Sequence, residues 1–493
     1  MSGADEAVTI SEVVGGSNGL AVSHEEARGL AAAYDEAGDR LRAWALTGAR
    51  VLADGDLLAS AVLAPVSFAE AEAAVLLATT GPDGALAESL GWEADALLIR
   101  ACVAAFERTD QAVALAFHLV DQQVGRALGA GLGRSAPTAL AAGALAYATY
   151  LTLTPDEQRA LRAAAAGGSR ALQAWLSRHP WIVEHLASGG GGLVDGLWAG
   201  ATGQLVLGPD GQPLPHLTTS AAAEVLAGFY PGDGDADVVR RDDLLAHGSA
   251  APPVPSDLAA MLTHLREVSL LSTGSTSPGN GTIEVQTITG PDGPRHVVYL
   301  PGTDDMLTTP WSRDADVRDL PTNFAAVGGA DTTYADGILE AMADAGIRPG
   351  EPVALVGHSQ GGIMAAWLAA HQDTYAVSAV VTAGSPVAGM GPYPDGMQML
   401  SLESSADVVP LLDGDPNPDT PQHVTVVFDD PGVDASANPV VDAHDLARYV
   451  EGAAAAGDSD DPSIRDALRR LSEAGFLGSD DPARSQVLQI SRR

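Results

Sequence analysis

The residues best suited to chemistry are one serine, the glycines around it, and a carboxylate and a histidine further along the chain. Ser359 lies in Gly357-His358-Ser359-Gln360-Gly361, between the β-branched run "VALV" and the helix-forming "IMAAWLAAH". A buried strand that passes straight into a helix forces a sharp turn. Such a turn strains the serine backbone, lifts its hydroxyl off the sheet and needs glycine on both sides, where side chains would collide. The same G-x-S-x-G spacing recurs at "GGSNG", Gly15 to Gly19, but its flanks predict a short strand, then a turn, then a helix beginning only near His24. Ser359 is therefore the candidate nucleophile, and acyl transfer is the chemistry that a serine on such a turn performs.

A serine hydroxyl is inert without a base, a carboxylate to orient that base, and donors for the oxyanion. Hydrolases that carry the nucleophile on a strand–helix turn run in the order serine, acid, histidine. Downstream of Ser359 stand His371, His423 and His444. His371 ends the helix that leaves the turn and points away, and His423 opens a strand. His444, in "VVDAHDLARYV", sits in a loop after the last strand of the alternating pattern and ahead of a helix, where a base can reach the serine. The acid belongs in a loop after an earlier strand, and "MQMLSLESSADVVPLL" places Asp407 there; Asp413, Asp429 and Asp430 are alternatives, Asp413 the strongest of them.

One oxyanion donor is expected from the N–H of Gln360, and the other from the loop in "VVYLPGTDDM", where Gly302 lets Thr303 or Asp304 present an amide. The long connection "DDMLTTPWSRDADVRDLPTNFAAVGG" carries Met306, Leu307, Trp311 and Phe324 and reads as a lid over a substrate site. "VAGMGPYPDGMQM" adds Met390, Tyr393 and Met397 as candidate walls of an acyl channel. Two ordinary surface loops with core contacts are the alternative.

These residues must be held by an α/β framework. From residue 256 a helix, "DLAAMLTHLREVSLL", precedes a hairpin, "TIEVQTITGPDGPRHVVYL", and helices and strands then alternate through "DLARYVEGAAAA". That alternation predicts a doubly wound, mostly parallel sheet with helices on both faces. Residues 1–190 read as a mainly α-helical domain, with one run of more than thirty residues lacking Pro and Gly within "WEADALLIRACVAAFERTDQAVALAFHLVDQQVGRAL". Residues 191–255 read as a Gly- and Pro-rich connector with a turn at Pro209-Asp210-Gly211, and residues 256–493 as the α/β domain.

The 493 residues carry a formal charge of -38, which excludes nucleic-acid backbones as partners. All 26 basic residues are arginine, so lysine chemistry is excluded. The single cysteine, Cys102, is expected to pack in a helical core, and neither a disulfide framework nor a cysteine-rich metal site follows. "DGDPNPD" alternates Asp413, Asp415, Asn417 and Asp419 as a calcium loop does, but it lacks the central glycine and the closing glutamate, and it reads as a solvated acidic loop. No metal or cofactor is expected. The first twenty residues show no basic or apolar signal region, so the default location is the cytoplasm, with signal-independent export as the other route. The uncharged run from Ala136 to Leu153 is rich in Ala rather than Leu or Phe and reads as a buried helix, not a membrane anchor.

Taken in order, "LPGT", Trp311 and Asp314 in "PWSRD", "GHSQGG", "AGSPVAG", "DVVPLL" and "AHDLARY" resemble motifs of the lipase class 3 family of α/β-hydrolases, over roughly residues 256 to 455. The resemblance implies the α/β-hydrolase fold, Ser359 as nucleophile, the Gly302-Thr303 amide as oxyanion donor, and Asp407 rather than Asp413 as the acid. It implies a serine esterase or lipase acting on a small-molecule or lipid ester. Pro301 stands where the family has arginine, and the N-terminal half has no counterpart there. That half is similar to helical modules attached to hydrolases in actinobacteria and, more loosely, to type VII secretion substrates, although no W-x-G turn joining two helices is read in it; it suggests a protein partner. Acyl transfer to another acceptor, amide cleavage, and a non-catalytic partner protein on a hydrolase scaffold are the rival readings.

Overall fold

A computed structural model of the chain describes residues 7–152, 154, 158–159, 180–203, 218–244, 251–272, 277–306, 308–309, 311–433 and 439–493. The turn expected at Pro209-Asp210-Gly211 lies outside these residues, as does Leu307. The chain forms two compact units, Leu20–Ala116, and Met1–Gly19 together with Phe117–Arg493.

The first unit consists of helices Leu20–Leu52, Gly55–Leu63 and Pro65–Thr80 and the opening part of Ala85–Thr152. The Asp54 side chain caps Gly55–Leu63 by accepting from the N–H groups of Asp56 and Leu57, and Pro65 starts the next helix where its missing N–H costs nothing. Tyr34 and Trp92 meet edge to face at 4.7 Å. Much apolar surface stays outside: Trp44, Val62, Leu63 and Phe106 are exposed. Cys102 is exposed too, which corrects its expected burial; the inward positions near it are Ala96 and Val103. No helix among the described residues is long and apolar enough to cross a membrane.

The second unit is α/β. Its strands are β1 (Thr9–Gly15), β2 (Ala236–Arg240), β3 (Thr282–Gly290), β4 (Gly293–Leu300), β5 (Pro352–His358), β6 (Ala376–Ala383), β7 (Gln398–Ser404), β8 (His423–Asp429) and β9 (Ala483–Arg492). They form one sheet in the order β1-β8-β7-β6-β5-β4-β3-β9-β2. Strands β4 to β8 pair in parallel, while β1, β3, β9 and β2 extend the edges antiparallel. The central strands are buried on both faces, as in β5, where Val353 to Gly357 are all inaccessible.

Helices cover both faces, but without the reversal of strand order that double winding implies. Helices Thr333–Asp344 and Gln360–His371 line one face with Ile338, Met342, Ile363 and Leu368. Helix Leu258–Ser269, which precedes β3, and helices Leu446–Gly457 and Pro462–Glu473, which follow β8, line the other with Met261, Leu265, Tyr449 and Ile464.

The expected division at 1–190, 191–255 and 256–493 is not the one observed. Strand β1 belongs to the sheet, paired with β8 from Thr9↔Asp429 to Gly15↔Val424. The helix after "GGSNG" begins at Leu20 rather than near His24, a 3-10 turn over Gly16–Asn18 intervening. The supposed connector holds helices Gly190–Thr202 and Thr219–Ala227 and strand β2. Its glycines serve close packing: a Cβ on Gly192 or Gly196 would sit 2.0 or 2.1 Å from the carbonyl of Gln122 or Arg126, so two helix backbones touch there.

Candidate active site

The parallel centre of the sheet brings four loops to one edge, the carboxyl ends of β4, β5, β7 and β8. This is where open α/β sheets present their sites. Leu300 of β4 pairs with Gly357 of β5, so the segment Pro301-Gly302-Thr303 lies against the turn at Ser359.

Ser359 has φ 53° and ψ −124°, a conformation that costs a side-chain-bearing residue about 1–3 kcal/mol. Its N–H donates to Ala383 O at 3.0 Å, and its carbonyl accepts from Gly362 N and Ile363 N at 3.0 and 3.1 Å. The flanking glycines are sterically required: a Cβ on Gly361 would sit 1.8 Å from Leu300 O, and one on Gly357 would sit 2.3 Å from the Gly361 carbonyl carbon. Ser17 lacks this geometry, because Gly15 and Gly16 absorb the positive φ angles ahead of it.

His444 precedes Asp445, whose side chain caps helix Leu446–Gly457. Its Nδ1 lies 2.6 Å from Asp407 Oδ2. Asp407 is buried and accepts two further hydrogen bonds, from Tyr449 OH to Oδ2 at 2.6 Å and from Val409 N to Oδ1 at 2.9 Å. With Nδ1–H given to the carboxylate, Nε2 of His444 is left as the acceptor. The carbonyl of His444 accepts from His358 Nε2 at 3.0 Å, and the two imidazole rings lie 4.7 Å apart. Burial, and then the neighbouring His444, push His358 down to about 3, so it stays neutral and does not compete for protons.

The other candidates sit elsewhere. His371 stacks on Trp367, and His423 bonds Ser401 Oγ at 2.9 Å inside the sheet, where burial lowers it to about 4. Asp413 accepts from Ala388 N, and burial raises it to about 7. Asp430 accepts from Gly432 N and faces Arg448, and Asp429 is exposed at the end of β8.

Both segments expected to supply oxyanion donors lie at the turn. Gln360 opens its helix, so its N–H has no intrahelical acceptor. The N–H of Asp304 is taken by Arg318 O at 2.8 Å, whereas the Thr303 N–H has no acceptor among the described residues. Thr303 Oγ1 accepts from Asn323 Nδ2 at 3.0 Å. A Cβ on Gly302 would come within 3.1 Å of Ser359 Cβ and His358 Nδ1, so only a bare backbone lets this loop lie so close.

A cavity of about 580 Å³ holds Ser359, His444, Gly302 and Thr303 in its wall. Helices Pro180–Ser188, Gly190–Thr202 and Thr219–Ala227 contribute Ala187, Leu193, Val194, Ala222 and Leu226, and the sheet side contributes Ile363 and Phe324. Arg318 is the one arginine lining it among the described residues, and it is ion-paired with Asp304 at 2.7 Å.

The expected substrate wall is thus partly corrected. Met306 and Phe324 line the cavity. Met390 is buried in the hydrophobic core instead, and Tyr393 packs against that core with its hydroxyl 3.5 Å from Val387 O. Trp311 is 78% exposed and its backbone N–H donates to Phe229 O. The cover over the serine is built mainly from helices of the supposed connector, whose small-residue pattern in "TTSAAAEVLAGF" carried a helical signal.

No group of three His, Cys, Asp or Glu able to hold a metal ion occurs among the described residues. The acidic loop does not converge: Asp413 turns to Ala388, while Asn417 bonds Glu403. In comparisons with known proteins, no family model, no curated protein and no solved structure matches the chain.

Proposed function

We propose that the chain is a serine hydrolase of carboxylic esters, related to the lipase class 3 branch of the α/β-hydrolases, working through an acyl-enzyme. The observation that carries this reading is a serine with φ 53° in the wall of the same apolar cavity as a histidine whose Nδ1 is 2.6 Å from a buried aspartate.

In this reading Ser359 Oγ attacks the ester carbonyl while His444 Nε2 takes its proton. The negative charge that develops on the carbonyl oxygen is met by the N–H groups of Gln360 and Thr303. Asp407 holds the Nδ1–H and offsets the imidazolium charge. Collapse of the tetrahedral adduct breaks the bond to the alcohol oxygen, which leaves with the proton from His444 as the serine keeps the acyl group. Water repeats the sequence: His444 takes a proton from it, hydroxide adds to the acyl carbon, and the proton returns to Ser359 Oγ as the acid departs. The apolar lining and the pairing of Arg318 favour uncharged esters over phosphate-bearing ones. Exposed Trp44, Val62 and Leu63 support a protein partner for the helical unit.

A fluorophosphonate probe tests the assignment directly. Covalent labelling of Ser359 is expected, together with loss of ester hydrolysis by about a millionfold in Ser359→Ala. A folded Ser359→Ala protein that keeps substantial activity, or labelling at another serine, refutes it.

A further inference from the structure

A second cavity, of about 380 Å³, opens beside the loop that follows β7. It is lined by Asp407 but by none of the residues that wall the first cavity. Glu12, Glu184, Glu403 and Asp415 surround it, and no arginine or histidine lines it among the described residues. Acidic residues alone make no site. Here, however, a hydroxyl on the same sheet face as Glu403, Thr425 Oγ1, is buried without a hydrogen-bond partner, its residue 4% exposed. A buried hydroxyl is seldom left so, and a polar guest supplies what it lacks. Glu403 accepts a single hydrogen bond among the described residues, from Asn417 Nδ2 at 2.6 Å. Burial, and then Asp413, push its carboxyl up to about 7, the mark of an acid that gains from a positive neighbour.

We propose that this cavity binds a primary alkylammonium group, its head held by the Glu403 carboxylate and the Thr425 hydroxyl and its stem lying along Val14, Val427 and Pro410. An –NH₃⁺ head donates both to the Glu403 carboxylate and to the Thr425 hydroxyl. A bare metal ion fits poorly, since no three acidic or imidazole groups among the described residues converge to hold one. Apolar side chains in the wall suit an aliphatic stem, as they do where lysine stems lie along apolar surface. The chain contains no lysine, so the guest comes from outside it, as a free diamine or as a lysine of another protein. The inference does not rest on the proposed catalysis.

The test is calorimetric titration at pH 8 and about 0.15 M salt, which screens non-specific attraction to the acidic surface. Putrescine and a neutral-ended lysine peptide are the two ligands, with n-butanol and calcium chloride as controls. Saturable binding of at least one amine is expected, putrescine alone indicating a small-molecule guest and the peptide alone a protein lysine. Glu403→Gln, which keeps an acceptor for Asn417, should weaken binding at least tenfold, and Thr425→Val severalfold. If Glu403→Gln fails to fold, Thr425→Val carries the comparison. Absence of saturable amine binding, equal binding of n-butanol, undiminished binding in the folded variants, or calcium binding tighter than either amine and dependent on Thr425 overturns the proposal.

Discussion

Replacing Asp407 with Asn tests the proposed acid through the hydrogen bonds around it. The carboxylate accepts from three groups: His444 Nδ1 and Tyr449 OH at Oδ2, both at 2.6 Å, and Val409 N at Oδ1, at 2.9 Å. An asparagine has one acceptor end and one donor end. Val409 N–H is a fixed donor, so the amide oxygen must face it, and the NH₂ must then face His444 and Tyr449. The tyrosine hydroxyl rotates to accept, and the imidazole accepts only by surrendering the Nδ1 proton. That leaves the proton on Nε2, the atom required as base. The expected loss in kcat is roughly four orders of magnitude, or ~5 kcal/mol, with the fold intact. Hydrolysis of a short p-nitrophenyl ester gives kcat, and circular dichroism reports the fold. Asp413→Asn should leave kcat within about threefold, because its Oδ2 bond to Ala388 N survives in the amide. A folded Asp407→Asn protein within tenfold of wild type, or a larger loss in Asp413→Asn, refutes the reasoning.

Ala223→Phe, in the helical cover of the cavity, should remove space for about two methylenes, lowering kcat/KM for octanoate esters about fifteenfold while acetate stays within threefold; a uniform loss would show that the cover does not bind the acyl chain. Asp413 is held at about 7 in the folded protein and near the ordinary carboxyl value once unfolded, so its contribution is lost as pH rises from about 4 through 7. Denaturant unfolding should therefore find Asp413→Asn more stable than wild type by ~1–3 kcal/mol at pH 8, the gap closing toward pH 4; a gap independent of pH refutes it.

What was legible in the sequence was local. The run "VALV", the tight glycines and "IMAAWLAAH" specify β5, the turn and its helix, because strand, turn and helix each follow from contiguous residues. The hairpin of β3 and β4 is equally local, with a Pro-Asp-Gly turn between β-rich runs. Long-range pairing was not legible. Strand β9 pairs with β3 some two hundred residues away, and its Arg484, Ser485 and Gln486 obscure the buried Val487, Leu488 and Ile490. In the site, Asp407 and His444 could be proposed from order and loop position, but Tyr449 could not. Its hydroxyl meets Asp407 only because helix Leu446–Gly457 packs across β7, and helical spacing marks that tyrosine simply as a core residue. The cover over the cavity was missed because its glycines, which in sequence look like linker, allow helices to touch.

The two neighbours of Ser359 explain how parts from distant strands can stay in register. His358 Nε2 donates to the carbonyl of His444, eighty-six residues on, fastening the histidine backbone to the turn. Gln360 Nε2 donates to Asp319 O at 2.9 Å. Arg318, next to Asp319, donates to Gly302 O at 3.1 Å and is ion-paired with Asp304, while its own carbonyl accepts from Asp304 N. One short segment thus ties the loop after β4 to the helix that starts at Gln360, and the two proposed oxyanion donors belong to those two elements. The serine is held by backbone bonds to β6 and to its own helix, the histidine by the residue before the serine, and the loop after β4 by way of the residue after it. The residues on either side of Ser359 thus each fasten the turn to another segment, His358 to the backbone of His444 and Gln360 to that of Asp319.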